Sequence, residues 1–256
     1  SSTRVQWPSN IIYDYFSIIT PVKQRHFFGL SAGILHMEPM QETTEYNPHG
    51  TGRFFVFQDR FIGVTYGSKM TDRFSFGVTV KYISEDLAGQ TMSSTMIDMG
   101  TYYWTGFRSL RFSASLSHFG PQAKPGGVYI KRIIDTDTGE EILVESEFEL
   151  FSPPTIFRVG AAIKIYESEK HSLTSTLQLN HPVDNSENIS IGLEYITFNS
   201  LFLRSGFQFN QNEADYSFGF GLNRDIGKFT LAIDYAFTNF RYLSSPNKLS
   251  INLTFK

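Results

Sequence analysis

The chain lacks cysteine altogether, and it has neither a marked excess of charge nor a long apolar run. The absence of cysteine excludes disulfide bonds and thiolate metal sites. A net charge of -3 over 256 residues offers no basic surface of the kind that binds nucleic acid, so no nucleic-acid partner is expected. No segment approaches the roughly 18 consecutive apolar residues of a membrane-spanning helix, which excludes a helical membrane protein.

Aromatic residues are abundant instead. They make up 16% of the chain, with 25 Phe and 13 Tyr, against 18% charged residues. The mean hydropathy is nevertheless -0.19. A chain that is polar on average but rich in Phe, Tyr, Gly, Ser and Thr is typical of a transmembrane β-barrel, because half of every strand faces water.

Apolar residues alternate with polar ones from end to end, as in FSFGVTVKY (74–82), FTLAIDYAF (229–237) and LSINLTFK (249–256). Side chains of a strand point alternately to opposite faces, so each segment has one apolar and one polar face. The alternation predicts an all-β fold with about 13 strands of membrane-spanning length. The predicted strands span residues 10–20, 25–37, 54–67, 73–84, 92–104, 108–119, 155–166, 170–181, 187–198, 201–211, 215–224, 228–238 and 247–255.

The connections between these strands alternate between short and long. Outer-membrane barrels show this asymmetry, with tight periplasmic turns and longer extracellular loops, so a transmembrane antiparallel barrel in the bacterial outer membrane is predicted. With the last strand ending in the periplasm, the long connection 120–154 is extracellular. The alternative is a soluble all-β binding domain in which the apolar faces pair as a core.

The odd strand number indicates that one strand is incomplete, since bacterial single-chain barrels have even numbers. We expect one barrel domain over residues 1–256, with about 14 strands in the full protein. Residues 1–7 are then the tail of a first strand, and the rest of that strand, with any plug, lies upstream.

Charged residues on the polar strand faces are expected to point into the lumen, where they either form an internal salt-bridge network or guide a substrate. They are Lys81, Asp98, Arg158, Lys164, Glu194, Arg204 and Asp234. Glycines on the same faces, among them Gly219 and Gly221, indicate a strand bend or a close approach of another group.

Aromatic residues near the strand ends are expected to form the girdles that barrels place at the membrane interfaces. They are Tyr13, Tyr66, Tyr82, Trp104, Tyr166, Tyr195, Tyr235 and Phe255.

Inside the long connection, DTDTGEE (135–141) lies between two strand-like runs, VYIKRIID and EEILVES. Asp and Glu oxygens at this spacing suit calcium, but the match to a calcium loop is incomplete. A β-hairpin turn explains the same residues without metal, so a hairpin and no metal are predicted.

No catalytic motif is present. The six histidines are scattered, and neither a G-x-S-x-G nor an H-E-x-x-H segment occurs. A non-enzymatic protein without a cofactor is expected.

Segments spread over residues 55–256 resemble a known family. They are IGVTYGSKMTDRFSFGVTVKYISEDL (62–87), STMIDMGTYY (94–103), SLSHFGP (115–121), PTIFRVGAAIKIYE (154–167), NHPVDNSENISIGLEY (180–195), LFLRSGFQF (201–209), FTLAIDYAF (229–237) and LSINLTF (249–255). Together they resemble the PorV/PorQ family of outer-membrane proteins. The resemblance implies a FadL-like barrel of 14 strands and an association with type IX secretion in Bacteroidota.

Two functions follow as hypotheses. The resemblance implies an accessory barrel that binds secreted cargo or translocon proteins of the type IX system. The alternative is a FadL-like channel for hydrophobic small molecules, which requires an apolar pocket. Because the lumen faces read as polar, with few long apolar side chains, the sequence favours the secretion role. Outer-membrane lipid is expected to surround the barrel in either case.

Overall fold

The computed structural model describes residues 1–134, 141–211 and 214–255. Within these ranges no helix is long and apolar enough to span a membrane. The strands of the described residues are β1 (Ser2–Gln6), β2 (Ile12–Lys23), β3 (His26–His36), β4 (Met40–Gln41), β5 (Phe54–Phe55), β6 (Phe57–Lys69), β7 (Phe74–Leu87), β8 (Gln90–Trp104), β9 (Arg111–Phe119), β10 (Val128–Ile134), β11 (Glu141–Glu147), β12 (Ile156–Glu167), β13 (His171–Pro182), β14 (Asn188–Thr197), β15 (Leu201–Phe209), β16 (Ala214–Ile226), β17 (Phe229–Phe240) and β18 (Asn247–Phe255).

Fourteen of these strands form one closed antiparallel barrel, in which the first strand, β1, lies between β2 and the last strand, β18. Ser2 is opposite both Ile251 of β18 and Phe16 of β2. Each of the 14 strands therefore pairs with a neighbour on both sides, and the barrel has no free sheet edge. The structure confirms the predicted fold class.

The strand count within this chain differs from the prediction. All 13 predicted segments form barrel strands, and residues 2–6, within the segment expected to be the tail of a first strand, form the fourteenth. Strand β1 has only five residues, STRVQ, which is too short for a clear alternating pattern. Its place in the barrel depends on pairing with residues far away in the sequence, which a local pattern does not reveal.

The apolar side chains form an outer belt instead of a core. In the described part of the chain, Met96 and Ala214 are the buried hydrophobic residues, at 5% and 4% exposure. Ile18, Leu30 and Ile62 are between 58% and 65% exposed. Such a surface is unfavourable in water but matches the lipid-facing band of a membrane barrel. The soluble domain with a paired apolar core is therefore excluded.

The two ends of the barrel differ in their connections. One end, called here the mouth, carries the long segments 37–56 and 120–155, whereas the other end carries short turns such as 24–25 and 227–228. One connection at the mouth is shorter than expected: only Ala88 and Gly89 join β7 to β8. The charged residues before this turn, Glu85 and Asp86, were predicted to lie in a loop. They instead continue the pairing of β7 with β8, so the β7–β8 hairpin is longer than predicted.

Strands β10 and β11 lie outside the barrel wall. They pair only with each other, from Val128 opposite Glu147 to Ile134 opposite Glu141. Residues 135–140 (DTDTGE), for which the sequence predicts a hairpin turn, lie outside the described residues.

The lipid-facing role of the outer belt can be tested at Ile251, which lies in the middle of β18 opposite Ile233. Ile251→Arg is expected to lower the free energy of unfolding by ~2 to 4 kcal/mol, because a guanidinium near the bilayer midplane loses its hydration. The measurement is a denaturant titration of the barrel in lipid vesicles. Asn252→Arg, on the opposite face of the same strand, serves as the control and is expected to cost much less. Equal losses in both variants would contradict the assignment of the faces.

Candidate functional site

The inner face of the barrel carries all seven charged residues predicted to face the lumen. Each of them either lines an internal cavity or lies opposite an inner-face residue in the strand register. They are Lys81, Asp98, Arg158, Lys164, Glu194, Arg204 and Asp234. They do not form one network. The contacts divide them into two clusters and two separate residues.

The first cluster is centred on Arg204 of β15. Its Nε donates to Glu194 Oε2 at 2.8 Å, and its Nη1 donates to Asp234 Oδ1 at 2.6 Å. This guanidinium reaches across β16, where a Cβ at Gly221 would lie 2.3 Å from Asp234 Oδ1. Gly221 thus leaves room for the ion pair, which resolves the sequence ambiguity at this position in favour of a close approach.

The second cluster joins β7, β8 and β9. Lys81 forms a salt bridge with Asp98, whose Oδ1 also accepts a hydrogen bond from the backbone N–H of His118 at 2.8 Å. His118 has a φ of +59°, an unusual value for a non-glycine residue, and it lies at an irregularity in the β8–β9 register. The carboxylate therefore both neutralises Lys81 and holds the bulged backbone of β9.

Arg158 and Lys164 lie apart from these clusters. Arg158 donates to Ser117 Oγ at 3.2 Å, and Lys164 pairs with Glu167 near the short-turn end. Two further carboxylates that line an internal cavity, Asp59 and Glu85, were not predicted. Asp59 falls in a segment whose aromatic residues dominate the pattern, and Glu85 was assigned to a loop.

The predicted aromatic girdle is divided between the two faces. Six members have the register of the outer face: Tyr66, Tyr82, Tyr166, Tyr195, Tyr235 and Phe255. Tyr13 and Trp104 have the register of the inner face, and Tyr13 lines an internal cavity. Proximity to a strand end does not indicate the face, so these two predictions are wrong.

Two histidines contact the outer girdle at the short-turn end. The hydroxyl of Tyr66 lies 2.8 Å from His26 Nδ1, and the hydroxyl of Tyr195 lies 2.8 Å from His171 Nδ1. Each pair is also stacked. Polar tips on apolar rings suit a membrane interface, which explains two of the histidines that looked scattered in the sequence.

A mostly apolar cavity of about 530 Å³ lies at the mouth, between the inner wall of the extended β7–β8 hairpin and the connection 120–155. We call it the mouth cavity. Its lining residues are Phe57, Glu85, Leu87, Gln90, Met92, Ser94, Met96, Ala123, Pro125, Phe148, Phe151, Ser152, Pro153 and Pro154.

Backbone hydrogen bonds hold the outer wall of the mouth cavity. Ala123 and Phe151 exchange two of them, at 3.0 and 2.8 Å, which closes the base of the connection. The N–H of Gly126 donates to the carbonyl of Thr91 at 2.8 Å. The connection is thereby fastened to β8, so the cavity is bounded on one side by the barrel and on the other by a secured loop.

A second cavity, of about 500 Å³, lies below the first and shares Glu85, Met96 and Pro154 with it. We call it the upper-lumen cavity. Apolar and aromatic side chains line much of it: Tyr13, Tyr15, Leu35, Phe61 and Ile83. The expectation of a lumen with few large apolar side chains is therefore wrong at this end, because β2, β3, β6 and β7 carry such residues on both faces near the mouth.

Outside the barrel, two carboxylates are held in their charged form by neighbours. Hydrogen bonds from the Thr51 hydroxyl and from Arg53 lower the pKa of Glu42. The ammonium group of Lys124 lowers the pKa of Glu147 at the base of the β10–β11 hairpin. In the described residues no group of three or more His, Asp or Glu side chains could hold a metal ion.

No protein-family model matches the chain, and no curated protein matches it. Solved structures do. The toluene transporter TodX of Pseudomonas putida aligns with a TM-score of 0.56 at 10% identity, over 98% of this chain and 84% of that chain. The toluene transporter TbuX of Ralstonia pickettii aligns with a TM-score of 0.53 at 13% identity, over 98% and 85%. A FadL homologue of Pseudomonas aeruginosa aligns with a TM-score of 0.52 at 11% identity, over 96% and 78%.

These likenesses show a fold class, the closed antiparallel β-barrels of the outer membrane. Within it, the fold is that of the FadL-family barrels, in agreement with the predicted location in the bacterial outer membrane. The FadL-like part of the sequence resemblance is supported. The narrower PorV/PorQ assignment and its link to type IX secretion gain no support from these structures.

Proposed function

We propose that the chain is a non-enzymatic outer-membrane channel for hydrophobic small molecules, the alternative that the sequence analysis left open. The mouth cavity carries this proposal, because it is mostly apolar and adjoins the upper-lumen cavity, with which it shares Glu85, Met96 and Pro154. Its volume of about 530 Å³ is within the range of small-molecule sites. TodX and TbuX, which have the same fold, are toluene transporters.

The chemistry of the path suits uptake from water. An apolar molecule that enters the mouth cavity loses contact with water, which favours binding by roughly 25 cal/mol for each Å² of apolar surface buried. Deeper in the lumen, the wall becomes polar around Arg204, Glu194 and Asp234. Binding there is weaker, and a channel needs such weak sites so that the molecule leaves again.

The mouth faces the cell exterior in this proposal. The long connections then meet the medium, and the short turns meet the periplasm, as in other outer-membrane barrels. The mouth cavity is consequently the first site that an incoming molecule reaches.

Filling the mouth cavity is expected to block uptake. Ser94 faces the cavity, and its buried Oγ has no hydrogen-bond partner among the described residues, so its replacement breaks no such contact. Ser94→Trp should reduce the uptake of labelled toluene, by bacteria that otherwise lack such a channel, to the level of cells without the barrel. Ser93→Trp, on the outer face of the same strand, is the control and should preserve uptake. Wild-type uptake by Ser94→Trp, at equal amounts of folded barrel, would contradict the proposal.

The orientation can be tested by proteolysis of intact cells. Lys131 and Arg132 are exposed in β10, and Lys228 lies in a short turn at the other end. Trypsin added outside is expected to cleave after Lys131 or Arg132, because these bonds meet the medium. Cleavage after Lys228 is expected only once the cells are opened. The reverse order, read by mass spectrometry of the fragments, would invert the orientation.

A role as an accessory barrel of type IX secretion is the second proposal, and the β10–β11 hairpin favours it. Ile130, Ile134 and Leu143 are 67%, 68% and 67% exposed on this hairpin. No barrel strand pairs with it in the described part of the chain, so its edges are free to meet a partner protein.

Replacing residues 128–147 by a short Gly-Ser link separates the two proposals. A channel is expected to keep its toluene uptake, because none of the exposed hairpin side chains named above lines the mouth cavity. A secretion accessory is expected to lose its type IX translocon and cargo partners in a crosslinking pull-down. Retained partners after the replacement would exclude the hairpin as their binding site.

A further inference from the structure

Two carboxylates stand directly opposite each other in the wall where the two cavities meet. Asp59 of β6 pairs with Glu85 of β7 in the antiparallel register, and both line the upper-lumen cavity. Glu85 also lines the mouth cavity. Like charges directly opposite in a sheet are destabilising, so this pair is not explained by the stability of the barrel.

No cation balances the pair within the described residues. Lys81, which lines the same cavity, is engaged by Asp98. Arg60, which follows Asp59 in β6, also borders this cavity, but its register opposite Ile34 and Ser84 directs its exposed side chain to the outer face. Asp59 Oδ1 is buried and has no hydrogen-bond partner among the residues that the structure describes. By contrast, the carboxylates Glu194, Asp234 and Asp98 of the inner face are each paired with a cation.

The surroundings strengthen the effect of these charges. Phe61, Ile83 and Met96 line the upper-lumen cavity beside the carboxylates, and Phe57 and Leu87 line the mouth cavity beside Glu85. Apolar walls lower the local dielectric, so a charge on a bound molecule interacts with the carboxylates more strongly than it would in water.

We propose that Asp59 and Glu85 set the charge specificity of the channel, an inference that rests on the proposed function. The site accepts apolar molecules whose polar group is uncharged or positively charged, and it rejects molecules that carry a carboxylate. The apolar lining supplies the affinity, and the carboxylate pair repels an anionic head group at the passage from the mouth cavity to the lumen. A calcium ion does not account for the pair, since calcium requires six or more oxygen ligands.

Three ligands with the same eight-carbon chain test this inference: octanol, octylamine and octanoate. Each competes with labelled toluene for the purified barrel in amphipathic polymer at pH 8, where amine and carboxylates are charged. Octanoate is expected to bind at least about tenfold more weakly than octanol, since one charge pair at an effective dielectric of about 20 suffices for this difference. Octylamine is expected to bind at least as well as octanol.

The variant Asp59→Asn with Glu85→Gln keeps the shape of the site and removes its charge. It is expected to strengthen octanoate binding about tenfold or more and to leave octanol binding within about twofold. Asp86→Asn is the matched control: it removes a neighbouring carboxylate from the outer face, and its amide oxygen can still accept the hydrogen bond from Gly89 N–H. Folding is checked by the heat-dependent mobility of the barrel on a gel.

Each outcome decides between the proposals. Equal binding of octanol and octanoate by the wild-type barrel would overturn the charge specificity and leave the channel intact. An unchanged octanoate affinity in the double variant would do the same. Failure of octanol and toluene to bind at all would overturn the proposed channel, and the charge specificity with it.

Discussion

Backbone hydrogen bonding around a closed circle is the constraint on which the rest of this structure depends. In lipid, an unpaired N–H or C=O group costs several kcal/mol, so a sheet can cross a membrane only without a free edge. Here the circle is completed by a strand of five residues, which joins the first and last parts of the chain. Closure frees the outer face for contact with lipid and makes the inner face a separate, partly polar compartment.

The inner compartment has two parts that differ in whether their charged side chains are paired. Around Arg204 and around Lys81, each cation is satisfied by carboxylates one or two strands away, as expected where charges are partly withdrawn from water. Near the mouth, large apolar side chains replace these pairs, and two carboxylates remain without a cation. The balanced part stabilises the wall, whereas the unbalanced part has the composition of a binding site.

Much of the fold could be predicted because alternation is a local signal: 13 strands were found at their places from it, and the short β1 was expected only from the odd strand number. The candidate site could not be predicted in this way. Glu85 was assigned to a loop because charge breaks the apolar alternation, although β7 and β8 continue beyond it. Tyr13 was placed in the girdle because nothing in its neighbourhood distinguishes an inward from an outward ring. A cavity between a wall and a loop depends on contacts distant in the sequence.

Gly221 lies directly opposite Asp234, and the absence of its side chain admits the guanidinium of Arg204. In evolutionary terms, the three positions form one unit. A homologue that gains a side chain at position 221 has to give up or relocate the ion pair, and one that loses the arginine no longer needs glycine there. Among homologues these positions are therefore expected to vary together, which would record a three-dimensional contact in sequences alone.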